Sequence, residues 1–336
     1  MQTKIINDPE LAALKISEGD VVGLPTETVY GLGANALNEE AVLKIFNKKE
    51  RPLFNPLIVH IYDAEQAKRY ASDIPKAAMD LMEKFSPGPI TFVLKRKKVN
   101  EGKSPEIPLI VSSGMDSIAL RIPSHNMFRN VLKLSGLAIC APSANRFGRI
   151  SPVSSEDVYK ELNGKIEYIL DGGKCEVGIE STVVSFLNEV PEILRPGSIT
   201  YEDIKKITGK VKIAKAGADL NSPGMLKDHY APAKKMFLTE HLTDSVIEDL
   251  KEVNINGAGL KPGFLLLRKF ENMNKAALNL FSEIRRLDEK DSSECDHIVA
   301  ECVEDKGIGI AINDRLSKAS SGTINKINGE WKVFQK

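Results

Sequence analysis

Lys49 and Arg51 stand one residue apart at the end of a helical stretch, with no phosphate loop beside them. Two cations at that spacing, facing a cleft, can hold a nucleotide's phosphates directly. The chain around them, residues 24–60, reads LPTETVYGLGANALNEEAVLKIFNKKERPLFNPLIVH. The apolar run 21–24 passes into the hydroxyl-rich stretch Pro25-Thr26-Glu27-Thr28. Gly31 and Gly33 would admit a ligand close to the backbone, or conformations barred to other residues. His60 closes an otherwise apolar strand. On the strand 117–122 a period of two sends Ile118, Leu120 and Ile122 to the core and Ser117, Ala119 and Arg121 to the other face. An arginine on the inner face of a concave sheet can clamp a carboxylate; on the outer face it is only a surface charge. Arg195 ends its strand before Pro196-Gly197 and could serve as a fixed guanidinium or a plain edge residue.

The common nucleotide signatures are missing. Gly102-Lys103-Ser104 ends like a phosphate loop, but the upstream position that must be glycine is Lys97. Neither GxGxxG nor HExxH occurs. A bound nucleotide would have to be held by dispersed residues at strand ends.

The elements that carry these residues alternate. Strands are expected at 20–24, 56–61, 90–95, 117–122, 137–141, 166–170, 181–187 and 192–195. Helices are expected at 8–17, 38–48, 64–72, 75–85, 125–134, 155–162 and 201–209. The hairpin at 181–195 makes the sheet mixed rather than simply doubly wound. Residues 214–235 lose apolar periodicity and read as a linker. Beyond it, strands near 236–239, 263–267 and 297–300 alternate with helices 243–252, 274–288 and 308–318. Residues 322–336 read as a turn ending in a strand around Trp331. The expected organisation is an α/β domain over 1–208, a linker over 209–235 and a smaller Rossmann-like α/β domain over 236–336.

The 336 residues carry 46 Lys+Arg and 46 Asp+Glu, so the net charge is zero. Its distribution is uneven: residues 51–150 hold 15 basic against 8 acidic residues, and 151–200 hold 4 against 9. The basic stretch could attract nucleotide or RNA phosphates, or be an ordinary solvated surface. No apolar run is long enough to span a membrane, and the N-terminal residues lack the apolar core of a signal peptide. Cys140, Cys175, Cys295 and Cys302 are widely spaced, with no CxxC. That favours a reducing, cytoplasmic setting over a zinc site or a disulfide framework.

Taken in order, the motifs resemble those of the YrdC-like L-threonylcarbamoyladenylate synthases. They are PTETVYGLG at 25–33, KxRP at 49–52, NPLIVH at 55–60, SPGPITFVL at 86–94 and SIALRIP at 117–123. APSAN at 141–145, DGG at 171–173, ESTVV at 180–184 and LRPGSIT at 194–200 follow. SPGMLKDHYAP at 222–232 resembles the linker of the two-domain members, and GIGIAINDRLSKAS at 307–320 their second domain. The resemblance implies a YrdC-like twisted mixed sheet. It also implies an enzyme that makes L-threonylcarbamoyl-AMP from L-threonine, bicarbonate and ATP, with Mg²⁺ accompanying the nucleotide.

It implies roles as well. Thr28, His60, Arg121, Ala141 and Ser181 would bind threonine. Arg51, Asn55, Ser117, Ser143, Ser151, Arg195 and Tyr230 would bind ATP, with Lys49 and Arg51 acting on the reacting phosphates. The linker would fold over the active site. Taken alone, His60 could be a hydrogen-bonded core residue, Asn145 an Asx turn and Ser151 a helix cap. Glu50, inside the Lys-x-Arg pair, departs from the pattern and is expected to point outward. Downstream partners would be the enzymes that transfer the threonylcarbamoyl group to adenosine 37 of tRNA, and a weak affinity for RNA is also implied. A non-catalytic RNA-binding module would have no need of the linker or the threonine residues. A carbamoyl-phosphate-dependent hydrogenase maturation protein would carry acylphosphatase and zinc-finger segments, which are missing here.

Overall fold

The computed structural model describes residues 2–98, 106–214, 230–255, 258–259 and 261–336. Most of the linker sequence, 215–229, and the Gly102-Lys103-Ser104 stretch lie outside the described residues. The chain divides into two compact units: Met1–Phe147 with Ser151–Leu226, and Gly148–Ile150 with Lys227–Lys336.

The first unit is built in the order β1 (Lys4–Ile6), α1 (Pro9–Ser17), β2 (Val22–Leu24), β3 (Gly31–Asn35), α2 (Glu39–Lys49), β4 (Ile58–His60), α3 (Ala64–Tyr70) and α4 (Lys76–Phe85). It continues through β5 (Ile90–Lys95), β6 (Ser117–Arg121), α5 (Asn126–Ser135), β7 (Ile139–Cys140), α6 (Ser155–Leu162) and β8 (Tyr168–Leu170). β9 (Thr182–Ser185), β10 (Glu192–Arg195), α7 (Tyr201–Thr208) and β11 (Lys212–Ile213) complete it. The strands form one mixed sheet, ordered β1-β8-β2-β3-β7-β4-β6-β5-β9-β10-β11.

Local chemistry sets the helix ends. Asp8 accepts from the Glu10 and Leu11 amides, and Pro9 opens α1 where its missing N–H costs nothing. Thr200 and Asp203 form a reciprocal capping box on α7. α5 stops at Gly136, whose φ of 64° closes the last turn. Under β2 and β8, α1 and α5 bury Ile16, Leu24, Phe128, Leu132 and Leu170 in one cluster.

The hairpin expected at 181–195 is present: β9 and β10 pair antiparallel, with Ile193 beside Val184. Of the two expectations for Gly31 and Gly33, the unusual backbone conformation is overturned. Gly31 and Gly33 belong to strand β3, and neither has positive φ. Their role is packing, because a Cβ at Gly33 would lie 2.5 Å from Leu24 Cδ1 and one at Gly31 3.0 Å from Ala141 Cβ.

The second unit contains β12 (Lys235–Thr239), α8 (Asp244–Lys251), the two-residue strands β13 (Asn254–Ile255) and β14 (Ala258–Gly259), and β15 (Pro262–Leu265). These are followed by α9 (Met273–Asp288), β16 (His297–Glu301), α10 (Gly309–Ala319), β17 (Gly322–Ile327) and β18 (Glu330–Gln335). Its main sheet runs β15-β16-β12-β17-β18, parallel except for the last strand. Segment 322–336 is therefore a full hairpin, not a turn followed by one strand. Asn328 and Gly329, at φ 53° and 86°, supply the left-handed pair that a tight hairpin turn needs. Phe237, Leu250, Val299 and Ile324 anchor this unit's core. No helix among the described residues is long and apolar enough to cross a membrane.

Candidate active site

Several of the candidate residues lie on or beside one face of the first unit's sheet. β4 and β6 are parallel, so Ile58 lies beside Ala119 and His60 beside Arg121. β5 runs antiparallel, with Val93 beside Ala119 and Lys95 beside Ser117. The middle of this face is apolar, where Ile58, Val93, Ala119 and Val183 cluster with Leu194. Polar groups occupy the two ends.

At one end stands Arg121, only 4% exposed. Its Nη2 donates to Glu27 Oε1 at 2.7 Å and to Thr28 Oγ1 at 2.9 Å, while its Nε is buried without a partner. Thr26 holds the turn that presents Thr28, through a hydroxyl–hydroxyl contact of 2.8 Å. His60 packs its ring 5.1 Å from that of Phe128. Burial, reinforced by the Arg121 charge, pushes the His60 pKa down to about 3. The imidazole is therefore neutral at physiological pH. Next to this group, Ser181 Oγ contacts Thr91 Oγ1 at 2.8 Å, and Arg195 Nη2 donates to Ser181 Oγ at 3.1 Å. Ala141, whose amide donates to the Ile58 carbonyl, brings a small side chain to the same sheet region.

At the other end of the face is Ser117. Four strand steps separate it from Arg121, about 13 Å. It lines an open cavity of about 560 Å³ with Asp73, Lys95, Met115, Asp116, Phe186 and Leu187. Arg51 and Asn55 lie just before β4. Arg51 is buried and donates to the Asn55 and Pro56 carbonyls at 3.2 and 2.9 Å. The Asn55 Nδ2 is buried without a hydrogen-bond partner.

Lys49 sits differently from its neighbour in the sequence. Its ammonium is fully buried and donates to the carbonyls of Ser143, at 2.6 Å, and Asn145. Burial, with the nearby Arg51 charge, holds its pKa well below the ordinary lysine value. Lys49 thus braces the 141–145 loop, which also pairs with β3 through Gly31 and Ser143. Glu50 turns outward as expected: it takes a left-handed φ of 55° and reaches Lys165 at 2.9 Å. Ser151 is fully buried, its hydroxyl 2.6 Å from Glu180 Oε1. Tyr230 is not among the sheet residues. It is fully buried in the second unit, against Phe281 and under Arg315.

Sequence reasoning assigned nothing to Glu27, Glu180 or Thr91. Each lies in or next to a recognised motif, and each is buried. The available signal was a carboxylate set among hydroxyls and apolar residues, but nothing local tied Glu27 to Arg121, 94 positions away. The 171–173 segment is structural. Tyr30 donates to the Gly173 carbonyl at 2.7 Å, and a Cβ on Gly172 would strike His125 and Pro25. Burial pushes the Cys140 thiol up to about 12, so it offers no thiolate.

Comparison with known proteins places the chain among its relatives. A family model described as "Telomere recombination", covering the Sua5, YciO and YrdC proteins, matches residues 15–197. A second, described as "Threonylcarbamoyl-AMP synthase, C-terminal domain", matches residues 199–321. The chain is 40% identical to the threonylcarbamoyl-AMP synthase of Pyrococcus abyssi, over 94% of this chain and 95% of that one. It is 38% identical to the Bacillus subtilis protein of the same name, over 95% of each. The crystal structure of P. abyssi Sua5 complexed with L-threonine superposes with a TM-score of 0.85 at 38% identity, covering 93% of this chain and 94% of that one. One model spans more than half of the sequence and these relatives match it from end to end, so the chain belongs to the threonylcarbamoyl-AMP synthase family, in its two-domain form.

Proposed function

We propose that this protein makes L-threonylcarbamoyl-AMP and pyrophosphate from L-threonine, bicarbonate and ATP. The threonylcarbamoyl group then passes, through separate enzymes, to adenosine 37 of tRNA. The observation that carries the reading is the buried, carboxylate-anchored Arg121, with an unpartnered Nε, between Thr28 and His60. A guanidinium fixed by Glu27, with a buried Nε that still lacks an acceptor, suits a small carboxylate. Neutral His60 can add a hydrogen bond there without adding charge.

In the proposed reaction the threonine amine adds to carbon dioxide with loss of a proton, or condenses with bicarbonate with loss of water, to give a carbamate. A carbamate oxygen attacks the α-phosphorus of ATP, a new P–O bond forms, and pyrophosphate departs with the broken bond's electrons. This chemistry requires alignment and charge neutralisation more than a protein nucleophile. Arg51 and Arg195 would neutralise the phosphates, with Asn55, Ser117, Ser143 and Ser151 fixing the nucleotide along the apolar floor. Lys49 would act by holding the loop that carries Ser143. Mg²⁺ would supply further charge neutralisation.

The test is pyrophosphate release from ATP with threonine and bicarbonate each omitted in turn. Release should require both, and serine should be roughly 10–200-fold poorer, the range one missing methyl group supports. Release that persists without threonine sinks the proposal.

A further inference from the structure

The second unit takes in three residues that the sequence places far from it, Gly148–Ile150. They sit between Ser143 and Ser151, and run parallel to the stretch that ends the linker, with Arg149 bridged to Ala231. The Ala231 amide donates to the Gly148 carbonyl at 2.8 Å. One side chain joins both stretches. Asp288, the last residue of α9, accepts from the Ala233 and Lys234 amides at 3.0 and 2.9 Å through its two carboxylate oxygens. It also lies 3.5 Å from Arg149 Nη2, with its own side chain 9% exposed. From the same helix, Arg285 is buried and donates to the Ile150 carbonyl at 3.0 Å.

We propose that Asp288 is a positioning residue for nucleotide binding. It clasps the end of the linker to residues 148–150, and so sets the backbone from which Ser151 follows directly. The inference rests on the proposed ATP contacts of Ser143 and Ser151. Three features favour a clasp over a simple helix end. Both carboxylate oxygens are engaged by backbone N–H groups of the incoming chain, not of α9 itself. Tyr230, beside the clasped residues, is held in a left-handed conformation at φ 67°, unusual for a bulky residue and kept only where its surroundings fix it. The ion pair with Arg149 adds a charge link between two stretches that have no local reason to meet.

The test compares Asp288→Ala, Asp288→Asn and Arg149→Ala in the full-length protein, by steady-state pyrophosphate release and by calorimetric titration. Asp288→Ala should raise the KM for ATP roughly tenfold or more, the scale of losing charge-assisted hydrogen bonds, and leave threonine affinity within about twofold. Asp288→Asn, which keeps one acceptor oxygen, should restore part of that loss. Arg149→Ala should shift ATP in the same direction by less, and serves if Asp288→Ala does not fold. Equal weakening of ATP and threonine, tracking a lowered thermal midpoint, would reduce Asp288 to a structural residue. Ser143→Ala and Ser151→Ala separate the two levels. If they leave ATP affinity unchanged, the ATP reading of this loop falls. If they weaken it while Asp288→Ala does not, only the clasp falls.

Discussion

Both units have apolar cores, but they differ in how many polar residues they bury. The first unit places Arg121, Arg195, Arg51, Lys49, Asn55 and His60 out of water. Among the described residues of the second unit, the buried polar set is Thr239, Arg285 and Arg315. Several of its other charges pair at the surface, such as Lys326 with Asp249, each about half exposed. Burying polar groups costs stability unless every one is hydrogen-bonded, so a cluster of them in one region marks a candidate ligand site. The second unit follows the ordinary pattern of an apolar core and a charged rim. It departs from that pattern where it grips residues 148–150 and 230–234.

Removing Arg121 breaks the contrast most severely. Arg121→Ala leaves the Glu27 carboxylate buried without its partner, and should destabilise the protein by about 3–5 kcal/mol in urea unfolding. Threonine affinity should fall roughly 10–150-fold by calorimetry. If the variant instead lost ATP and kept threonine, the two substrates would have to exchange ends of the sheet.

Arg195→Ala and Arg51→Ala come next. Each should weaken ATP by roughly the same 10–150-fold, through a single charge-assisted contact, with little change for threonine. A selective threonine defect in Arg195→Ala would move that arginine, through its bond to Ser181, into the threonine group.

The His60 effect is smaller and is read through pH. Its folded-state pKa, near 3, lies below the ordinary 6.5, so below pH 6.5 protons bind the unfolded chain preferentially. The stability contributed by neutral His60 is intact above pH 6.5 and declines as pH falls toward 3. By pH 5 the loss should be about 2 kcal/mol, at 1.36 kcal/mol per pH unit. Denaturant midpoints at pH 7.5 and pH 5 should therefore separate less in His60→Gln than in the natural sequence. An identical separation would mean that other groups carry the acid sensitivity.

The smallest effect belongs to the second unit's rim. Lys326→Ala, which removes an exposed pair, should cost between zero and about 1 kcal/mol and leave pyrophosphate release unchanged. A large loss would show that the contrast between the sheets is overdrawn.

The regular elements were legible where periodicity or end signals were strong. The strands Ile90–Lys95 and Glu192–Arg195 fall where alternation places them, and α6 begins and ends where its pattern does. β3 was hidden because its two glycines mimic a loop, although they serve close packing against Leu24 and Ala141. β1, three residues long, is too short for a period to register. β17 was masked by its polar alternation, despite the Asn328-Gly329 turn that marks its end. The candidate site was legible residue by residue, through motifs, but not in its pairings. No local pattern tells that Lys49 faces loop carbonyls, that Glu27 holds Arg121, or that residues 148–150 belong with α9. Those facts come from tertiary contacts between distant stretches.

The strand that carries both Ser117 and Arg121 also works as a ruler. A strand advances in fixed steps and turns each successive side chain to the other side, so one inserted residue between them would send Arg121 to the opposite face. Two inserted residues would restore its direction, but lengthen the span by about 7 Å. Substitution can therefore retune either end of this face, while the distance between the ends changes only in coarse jumps. A lineage adapting the scaffold to a shorter or longer pair of reactants would have to change another strand, or the loops that reach over it.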